Sequence, residues 1–393
     1  MAADHYDIIV VGLGAMGAAA LYQASQRGAR TLGIDRYDPP HTMGSSHGDT
    51  RVTRLAIGEG EMYMPFIQRA NHIWDELEAK SGRTLFHQSG GLIIAPEQGA
   101  AKFHAEGDFV ELSARIASKY SIAHEILDAA QIAQRFPLLT PRDCDRAYYE
   151  PESGVLRPER CIQTQLELAL ADGADIRTCE AVVEYRADAE GVTVRTDKDS
   201  YRADKLILCA GAWMSELLPA NSRGVLRVCR QVIHWYAAQD LRSFDPAVFP
   251  YVIWIGDAPE DFWSAFPAPS DGVPGVKMVS EQYHTSEEVQ AISREVTPDE
   301  IADMHQRLTV HRLRGTTERS VRADVCLYTV TRDEHFIIDF HPESRRVVMA
   351  SPCSGHGFKH SAAIGETLVQ MALDGGAQFD VSGFALDRAR KKS

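Results

Sequence analysis

Three glycines near the start of the chain, Gly12, Gly14 and Gly17, have the spacing of a dinucleotide-binding turn between an apolar run and an alanine-rich segment. In such a unit the first glycine permits a tight turn, the second lets the backbone approach a pyrophosphate, and the third lets helix and strand pack closely. Asp35 ends the next apolar run, where a carboxylate can accept hydrogen bonds from a ribose. The pattern predicts a dinucleotide site for FAD or NAD, against the alternative of an ordinary βαβ unit.

The elements that must position this motif are those of an α/β protein. Residues 6–11 and 205–208 have the composition of buried strands, and the second runs into glycine at Gly211, where a ligand crevice commonly opens. Residues 38–51 are rich in turn formers and predict a long functional loop. Helical periodicity is found over residues 64–80, and a glycine loop at 354–357 leads into a helix from about 358 to 373.

We therefore predict an α/β fold, α+β overall, in which a discontinuous Rossmann-type domain carries an inserted β-sheet-rich substrate domain. The dinucleotide domain is assigned to residues 1–90, 150–222 and 322–393. The substrate domain is assigned to residues 91–149 and 223–321, which contain β-rich segments and a Pro/Gly-rich connection at 267–275.

Composition narrows the class of protein. The chain has 393 residues, of which 44% are hydrophobic, and a formal net charge of −14, which argues against a nucleic-acid or anionic-membrane binder. We find no apolar run of the roughly 20 residues that a membrane span needs. Seven scattered cysteines fit reduced thiols, and they suggest neither a zinc ribbon nor any other metal site. We expect a cytoplasmic protein.

A family resemblance is carried by residues 39–42, 47–51, Arg54 and 58–60, and by the later segments 151–156, 210–213, 333–339 and 354–359. These segments resemble monomeric sarcosine oxidase and N-methyltryptophan oxidase. The resemblance implies FAD rather than NAD, held in an FAD-binding domain beside a sheet-based substrate domain. The implied flavin contacts, including the glycine motif, are Gly12, Gly14, Met16, Gly17, Asp35, Arg36, Ser45, Thr50, Arg51, Val182, Gly211, Trp213, Cys326, Gly355, Gly357, Phe358 and Lys359.

The resemblance also implies a covalent cofactor. Cys326 aligns with the family cysteine that forms a thioether to the flavin 8-methyl carbon. Because this chemistry needs a thiolate, the surroundings should be electropositive, and Arg322 and Arg332 lie nearby in the sequence. Taken alone, a cysteine among apolar neighbours would be interpreted as a small buried hydrophobe.

Five residues receive catalytic roles from the resemblance. Arg54 and Lys359 match the pair that holds the substrate carboxylate, for which a planar fork and an ammonium are suitable. Lys277 matches the lysine that activates oxygen electrostatically, and His284 corresponds to an active-site histidine, with a surface histidine as the equal alternative. Arg51 would adjust the charge around the flavin.

Two positions depart from the family pattern. Ser46 stands where the family has a histidine, and Ser264 stands where it has a tyrosine. Both changes remove ring volume, so we expect an enlarged or repolarised substrate pocket and a substrate that need not be sarcosine.

The predicted function is FAD-dependent oxidation of a secondary-amine amino acid, either N-methyl or cyclic, to an imine that hydrolyses, with O₂ reduced to H₂O₂. Its partners would be a small amino acid and O₂, with no nucleic acid or membrane, and the protein would be a monomer. The alternatives are a flavin amine dehydrogenase with another electron acceptor, an NAD-dependent dehydrogenase, and a non-catalytic flavin-binding protein.

Overall fold

A computed structural model describes residues 5–104, 107–222, 224–282 and 288–390. The strands, numbered in chain order, are β1 His5–Val11, β2 Thr31–Ile34, β3 Arg51–Thr53, β4 Phe86–Gln88, β5 Gly91–Pro96, β6 Glu125–Asp128, β7 Asp145–Glu150, β8 Gly154–Leu156, β9 Asp175–Arg177, β10 Val182–Ala187, β11 Val192–Thr196, β12 Ser200–Leu208, β13 Arg227–Ala238, β14 Tyr251–Trp254, β15 Trp263–Ala265, β16 Val276–Val279, β17 Thr316–Val330, β18 Ile337–His341 and β19 Ser344–Ser351. The helices are α1 Ala15–Gln26, α2 Met64–Ser81, α3 Phe109–Lys119, α4 Ala129–Arg135, α5 Pro158–Ala171, α6 Met214–Leu217, α7 Pro298–Asp303, α8 Ser361–Asp374 and α9 Leu386–Arg390. Among the residues so described, no helix is both long enough and apolar enough to cross a membrane.

The first sheet has the order β10-β11-β12-β1-β2-β9, with β19 beside β12 and β18 beside β19. Strand β1 pairs in parallel with both β2 and β12, and β12 pairs in parallel with β19. The carboxyl ends of these four strands therefore meet at one edge of the sheet, which is where open α/β sheets bind their ligands. The α/β prediction is confirmed.

Close packing of α1 explains two of the small residues in this domain. A Cβ atom on Gly17 would lie 1.7 Å from the Gly12 carbonyl oxygen, so the helix can approach the strand only with glycine there. On the other side of α1, a Cβ atom on Gly365 of α8 would lie 2.4 Å from the Ala19 Cβ. The alanine-rich composition of α1 thus serves contacts on two faces.

The second sheet has the order β17-β13-β16-β15-β14-β5-β7-β6 and is antiparallel except for the β14–β5 pair. Opposite β13, Cys326 on β17 faces Gln231 and Lys277 on β16 faces Trp235. Since Gln231 and Trp235 are four residues apart on one strand, Cys326 and Lys277 project from the same face of the sheet. Ser264 shares this face through its pairing with Val279, which is two residues beyond Lys277.

The predicted domain boundary at residue 322 falls inside β17, and all of that strand belongs to the second sheet. Cys326 is thus carried by the sheet that was assigned to the substrate domain. The helix predicted at residues 64–80 is α2, and its six predicted apolar positions are all buried, namely Phe66, Ile67, Ala70, Ile73, Trp74 and Leu77.

Candidate active site

A cleft with an empty volume of about 1370 Å³, including its open mouth, runs along the carboxyl edge of the first sheet. Thirteen of the predicted flavin contacts line it: Gly12, Gly14, Met16, Asp35, Arg36, Ser45, Arg51, Val182, Gly211, Trp213, Gly355, Gly357 and Phe358. Of the other four, Gly17 lies beneath the glycine turn, Thr50 is buried, and Cys326 and Lys359 line the adjoining cavity.

The glycine turn leaves space beside its backbone for a ligand. Gly12 has φ +85°, and a Cβ atom there would lie 2.4 Å from the Cys209 carbonyl oxygen. At Gly14, which precedes α1, a Cβ atom would meet nothing nearer than the Ser46 hydroxyl at 3.4 Å. An anion at this position would face the first turn of α1 and the positive end of its dipole.

Other groups on the cleft wall also suit a dinucleotide. Asp35 is buried and accepts hydrogen bonds from the amides of Leu13 at 2.7 Å and Tyr37 at 2.8 Å, which fixes its carboxylate at the end of β2. Within the described part of the chain, the buried hydroxyls of Thr329 and Ser351 have no hydrogen-bond partner, and both residues line the cleft. Buried polar groups are normally paired, so these two hydroxyls indicate a ligand with polar atoms.

Ser46 lies beside the glycine turn. Its hydroxyl accepts a hydrogen bond from the Ala15 amide at 3.2 Å, at the start of α1. It lines the dinucleotide cleft and is not among the described residues around the adjoining cavity. The loop carries Ser46 towards the glycine turn, and its effect on the substrate pocket stays a prediction. Ser264 does line the adjoining cavity.

The second cavity adjoins the cleft, and four residues, Arg51, Tyr328, Gly355 and Phe358, line both. Its empty volume is about 790 Å³. The predicted catalytic residues Arg51, Arg54, Lys277 and Lys359 all line it, although they come from positions 51 to 359 of the chain. His284, the fifth, lies outside the described residues.

At one end of this second cavity, Arg54 and Lys359 share the carboxylate of Glu59. Arg54 Nη2 lies 2.5 Å from Glu59 Oε2, and Lys359 Nζ lies 3.3 Å from Glu59 Oε1. All three side chains are buried. Burial opposes the Glu59 charge, but attraction by Arg54 and then Lys359 prevails and holds the Glu59 pKa well below its usual value. Burial lowers the Lys359 pKa to about 8, against the attraction of Glu59.

Lys277 and Arg51 meet at a single backbone carbonyl. The Lys277 ammonium donates to the Thr50 oxygen, and Arg51 Nη1 donates to the same oxygen at 2.9 Å. Lys277 also lies 4.2 Å from the centroid of the Phe266 ring. Burial, followed by repulsion from Arg51, lowers the Lys277 pKa well below its usual value.

Cys326 lies beside the same arginine. Its Sγ is 3.6 Å from Arg51 Nη2 and 3.6 Å from the Ser45 carbonyl oxygen. Burial raises the Cys326 pKa, while Arg51 acts in the opposite direction. The two arginines suggested by sequence proximity do not supply this contact: Arg322 pairs with Asp324 at 2.5 Å, and Arg332 is exposed.

A histidine that sequence reasoning missed lines the cavity near the carboxylate end. His104 is almost fully buried and contacts two carboxylates, with Nε2 3.2 Å from Glu281 and Nδ1 3.1 Å from Glu334. Burial lowers its pKa, but Glu281 and Glu334 outweigh burial and raise it to about 10, so the ring is an imidazolium at neutral pH. Its ring centroid lies 5.4 Å from that of His356.

Glu59, Tyr328 and His104 are among the cavity residues that sequence reasoning did not assign to the site. Glu59 stands inside a segment that carries the family resemblance, and a search for a buried counter-ion to Arg54 could have found it, while Tyr328 is two residues beyond Cys326. His104 had no local signal, because its partners are 177 and 230 positions away in the chain.

Comparisons with known proteins agree with this geometry. Residues 7–371 match the family model described as FAD dependent oxidoreductase. Monomeric sarcosine oxidase of Bacillus sp. (strain NS-129) is 38% identical over 387 residues, covering 98% of this chain and 97% of the relative. N-methyl-L-tryptophan oxidase of Yersinia pestis (strain Pestoides F) is 34% identical over 389 residues, covering 98% and 100%.

Solved structures show the same fold. NikD, an amino acid oxidase essential for nikkomycin biosynthesis, has a TM-score of 0.83 at 23% identity and covers 97% of both chains. Glycine oxidase from Geobacillus kaustophilus has a TM-score of 0.77 at 16% identity, covering 97% of this chain and 98% of the other. The chain belongs to the family of FAD-dependent oxidoreductases. Within that family it is similar over nearly its full length to flavoprotein amine oxidases.

Proposed function

We propose that the chain oxidises a secondary-amine amino acid, N-methyl or cyclic, to an imine that water hydrolyses, with O₂ as the electron acceptor and H₂O₂ as the product. The observation that carries this proposal is the second cavity. It has a buried cation pair for a carboxylate at one end and meets the dinucleotide cleft at Arg51, Tyr328, Gly355 and Phe358. FAD, when bound, would supply the acceptor for the hydride equivalent that leaves the C–H bond next to the amine nitrogen.

Substrate orientation is the task of Arg54 and Lys359. A guanidinium fork and an ammonium together suit a carboxylate, and Glu59 compensates only one of their two charges. The remaining unit of positive charge favours a substrate with one carboxylate. Because the cavity wall includes Phe103, Phe262 and Phe266, it also suits an apolar side chain or ring on that substrate.

Oxygen reduction is assigned to the wall that carries Lys277. A fixed ammonium there would stabilise the negative charge that develops on oxygen when it accepts the first electron. Held by the Thr50 carbonyl and the Phe266 ring, this side chain would need little reorganisation as the charge forms.

We also propose that Cys326 forms a thioether with the flavin 8-methyl carbon. The S–H and one methyl C–H bond are replaced by an S–C bond, and the two hydrogens with their electrons pass to O₂ as H₂O₂. Arg51, 3.6 Å from the sulfur, would favour the thiolate that this reaction needs. We further propose that the protein is a cytoplasmic monomer.

A peroxide-coupled screen tests the main proposal. It uses the flavin-loaded protein under air with sarcosine, N-methyl aromatic amino acids, proline, pipecolate and glycated amino acids. We expect turnover with at least one of these amines. The amine-oxidation assignment is wrong if no amine is oxidised under air and no amine bleaches the flavin in the absence of oxygen. Bleaching without subsequent reoxidation by air would instead indicate a dehydrogenase with another acceptor.

A further inference from the structure

The Thr50 carbonyl fixes two cations at once. It accepts hydrogen bonds from Lys277 and Arg51, and both Thr50 and Lys277 are at most 2% exposed. A carbonyl that rotates away would free the Lys277 ammonium, whereas Arg51 would keep its other bond, from Nη2 to the Ser45 carbonyl at 2.8 Å. The direction of this one C=O bond therefore decides where the Lys277 ammonium lies.

The backbone that carries this carbonyl has an unfavourable conformation. Gly48 has φ +100°, and Asp49 has φ +69°, a left-handed value that is uncommon for a residue with a side chain. The Thr50 amide closes a tight turn onto the Gly48 carbonyl at 2.8 Å. Such a conformation persists only where surrounding groups hold it.

The start of helix α5 supplies those groups. Glu159 Oε1 accepts from the Gly48 amide at 2.6 Å and from the Asp49 amide at 3.1 Å. The buried Arg157 donates from Nε to the Asp49 carbonyl at 2.9 Å and from Nη2 to Asp49 Oδ1 at 2.6 Å. Both backbone polar groups of Asp49 are therefore fixed from one helix terminus.

A second attachment joins this turn to the chain segment that leads into Lys277. Asp49 Oδ2 accepts from the Val273 amide at 3.2 Å, and a Cβ atom on Gly272 would lie 2.5 Å from the same oxygen. Arg157 Nη1 donates to Asp271 at 2.6 Å. The turn, helix α5 and the approach to β16 thus form one hydrogen-bonded unit.

The negative charges of the same unit also favour a protonated Lys277. Burial and Arg51 oppose a proton on Lys277, whereas Asp49 and Glu159 favour it. The titratable groups around Lys277 include Arg51, Asp49, Glu159, Cys326 and His47. Loss of the Glu159 charge would therefore loosen the Thr50 carbonyl and make the ammonium form of Lys277 less favourable.

We propose that Glu159 is a positioning residue for oxygen reduction, which holds Lys277 in place through the backbone of Gly48, Asp49 and Thr50. The inference rests on the oxygen-reducing role given to Lys277 in the proposed function. Glu159 is on helix α5 and contacts neither the amine nor the flavin. It acts only on the second half of the reaction, the reoxidation of the flavin.

The test measures the two half-reactions separately by stopped-flow absorbance on the flavin-loaded protein. One experiment follows flavin reduction by the amine without oxygen, and the other follows reoxidation by O₂ after chemical reduction, which needs no amine. In Glu159→Gln we expect reoxidation to slow by about ten- to a hundredfold, since small displacements of a catalytic group have effects of this size. Reduction by the amine should change by less than about threefold.

The matched control is Glu167→Gln on the same helix, because Glu167 pairs with Arg83 at the surface at 2.7 Å. It should leave both rates unchanged. The decisive measurement is the double variant with Lys277→Met: once Lys277 is absent, Glu159→Gln should slow reoxidation no further. A purely structural role would give additive effects instead.

Two outcomes would overturn the inference. One is a reoxidation rate in Glu159→Gln equal to that of the wild type, and the other is an equal slowing by Glu159→Gln whether Lys277 is present or replaced by methionine. If the glutamine variant is recovered without flavin, Glu159→Asp is measured in the same way, and an unchanged reoxidation rate there also overturns it. Failure of every amine to reduce the wild type would contradict the proposed function instead, because reoxidation is measured without an amine.

Discussion

Lys359 Nζ lies 3.3 Å from Glu59 Oε1, although the two residues are 300 positions apart in the chain. Arg54 contacts the other oxygen of the same carboxylate, so the predicted pair of carboxylate-binding cations is bridged by an acid of the protein itself. This arrangement stabilises two buried cations without a ligand, and it still leaves one unit of positive charge. A substrate carboxylate has to share these cations with Glu59.

Glu59→Gln should reduce the free energy of unfolding by about 3–5 kcal/mol, because removing one partner leaves the fully buried Arg54 charge uncompensated. The measurement is urea-induced unfolding of the flavin-loaded protein. Propionate, a carboxylate without an amine, should raise the midpoint of thermal unfolding more in the variant than in the wild type.

The control for this substitution is Glu76→Gln, since Glu76 is half exposed and pairs with Arg69 at the surface. It should cost less than about 1 kcal/mol. Equal stabilities of Glu59→Gln and the wild type would show that Glu59 does not neutralise the buried cations.

Binding of propionate should weaken as the pH rises above about 8. The Lys359 pKa is about 8, so its ammonium is present below that pH and is lost above it. For a single proton the affinity should fall by up to about tenfold per pH unit above the pKa. Titrating propionate against the flavin absorbance at each pH gives the profile.

Lys359→Arg should remove this pH limb, because a guanidinium stays charged throughout the range. Lys359→Met should also remove the limb but give weak binding at every pH. An alkaline limb at the same pH in both variants would assign the titration to another group.

Cys326→Ala should release the flavin on denaturation. We expect acid-precipitated wild-type protein to remain yellow, and the alanine variant to leave its colour in the supernatant. Cys353→Ala is the control, since Cys353 lines the dinucleotide cleft. If the wild type releases all its flavin, the thioether proposal fails, and the oxidase proposal is unaffected.

His104→Gln should weaken binding of the amino acid. The imidazolium lies near Arg54 and Lys359 in the cavity, and its loss removes a positive charge from the wall beside Glu281. At roughly 1 kcal/mol for such a charge, KM should rise about fivefold, with little change in kcat. Steady-state kinetics of the best amine in the screen provide the measurement.

The exposed His72→Gln on α2 serves as the control and should leave both kinetic constants unchanged. An unchanged KM in His104→Gln would mean that the charge of His104 does not reach the substrate.

Local sequence patterns were sufficient to predict the glycine turn and helix α2. The glycine spacing predicted the turn at Gly12, and the periodicity of residues 64–80 predicted α2 with its buried face. Both depend on contacts between near neighbours in the chain, where backbone geometry and apolar spacing carry the information. The resemblance then supplied residues such as Arg54, Lys277 and Lys359, which the fold brings to one cavity.

The tertiary structure decided which of these groups meet. The loop after β2 turns Ser46 towards α1 rather than towards the cavity, and Arg51, not Arg322, reaches Cys326. Glu59 bridges Arg54 and Lys359 because residues 54–59 and the segment around Lys359, 300 positions later, converge there. Such pairings arise from sheet register and loop paths between residues hundreds of positions apart. No spacing along the chain encodes them, so the sequence determined the cofactor-binding unit and the folded structure determined the charge balance of the site.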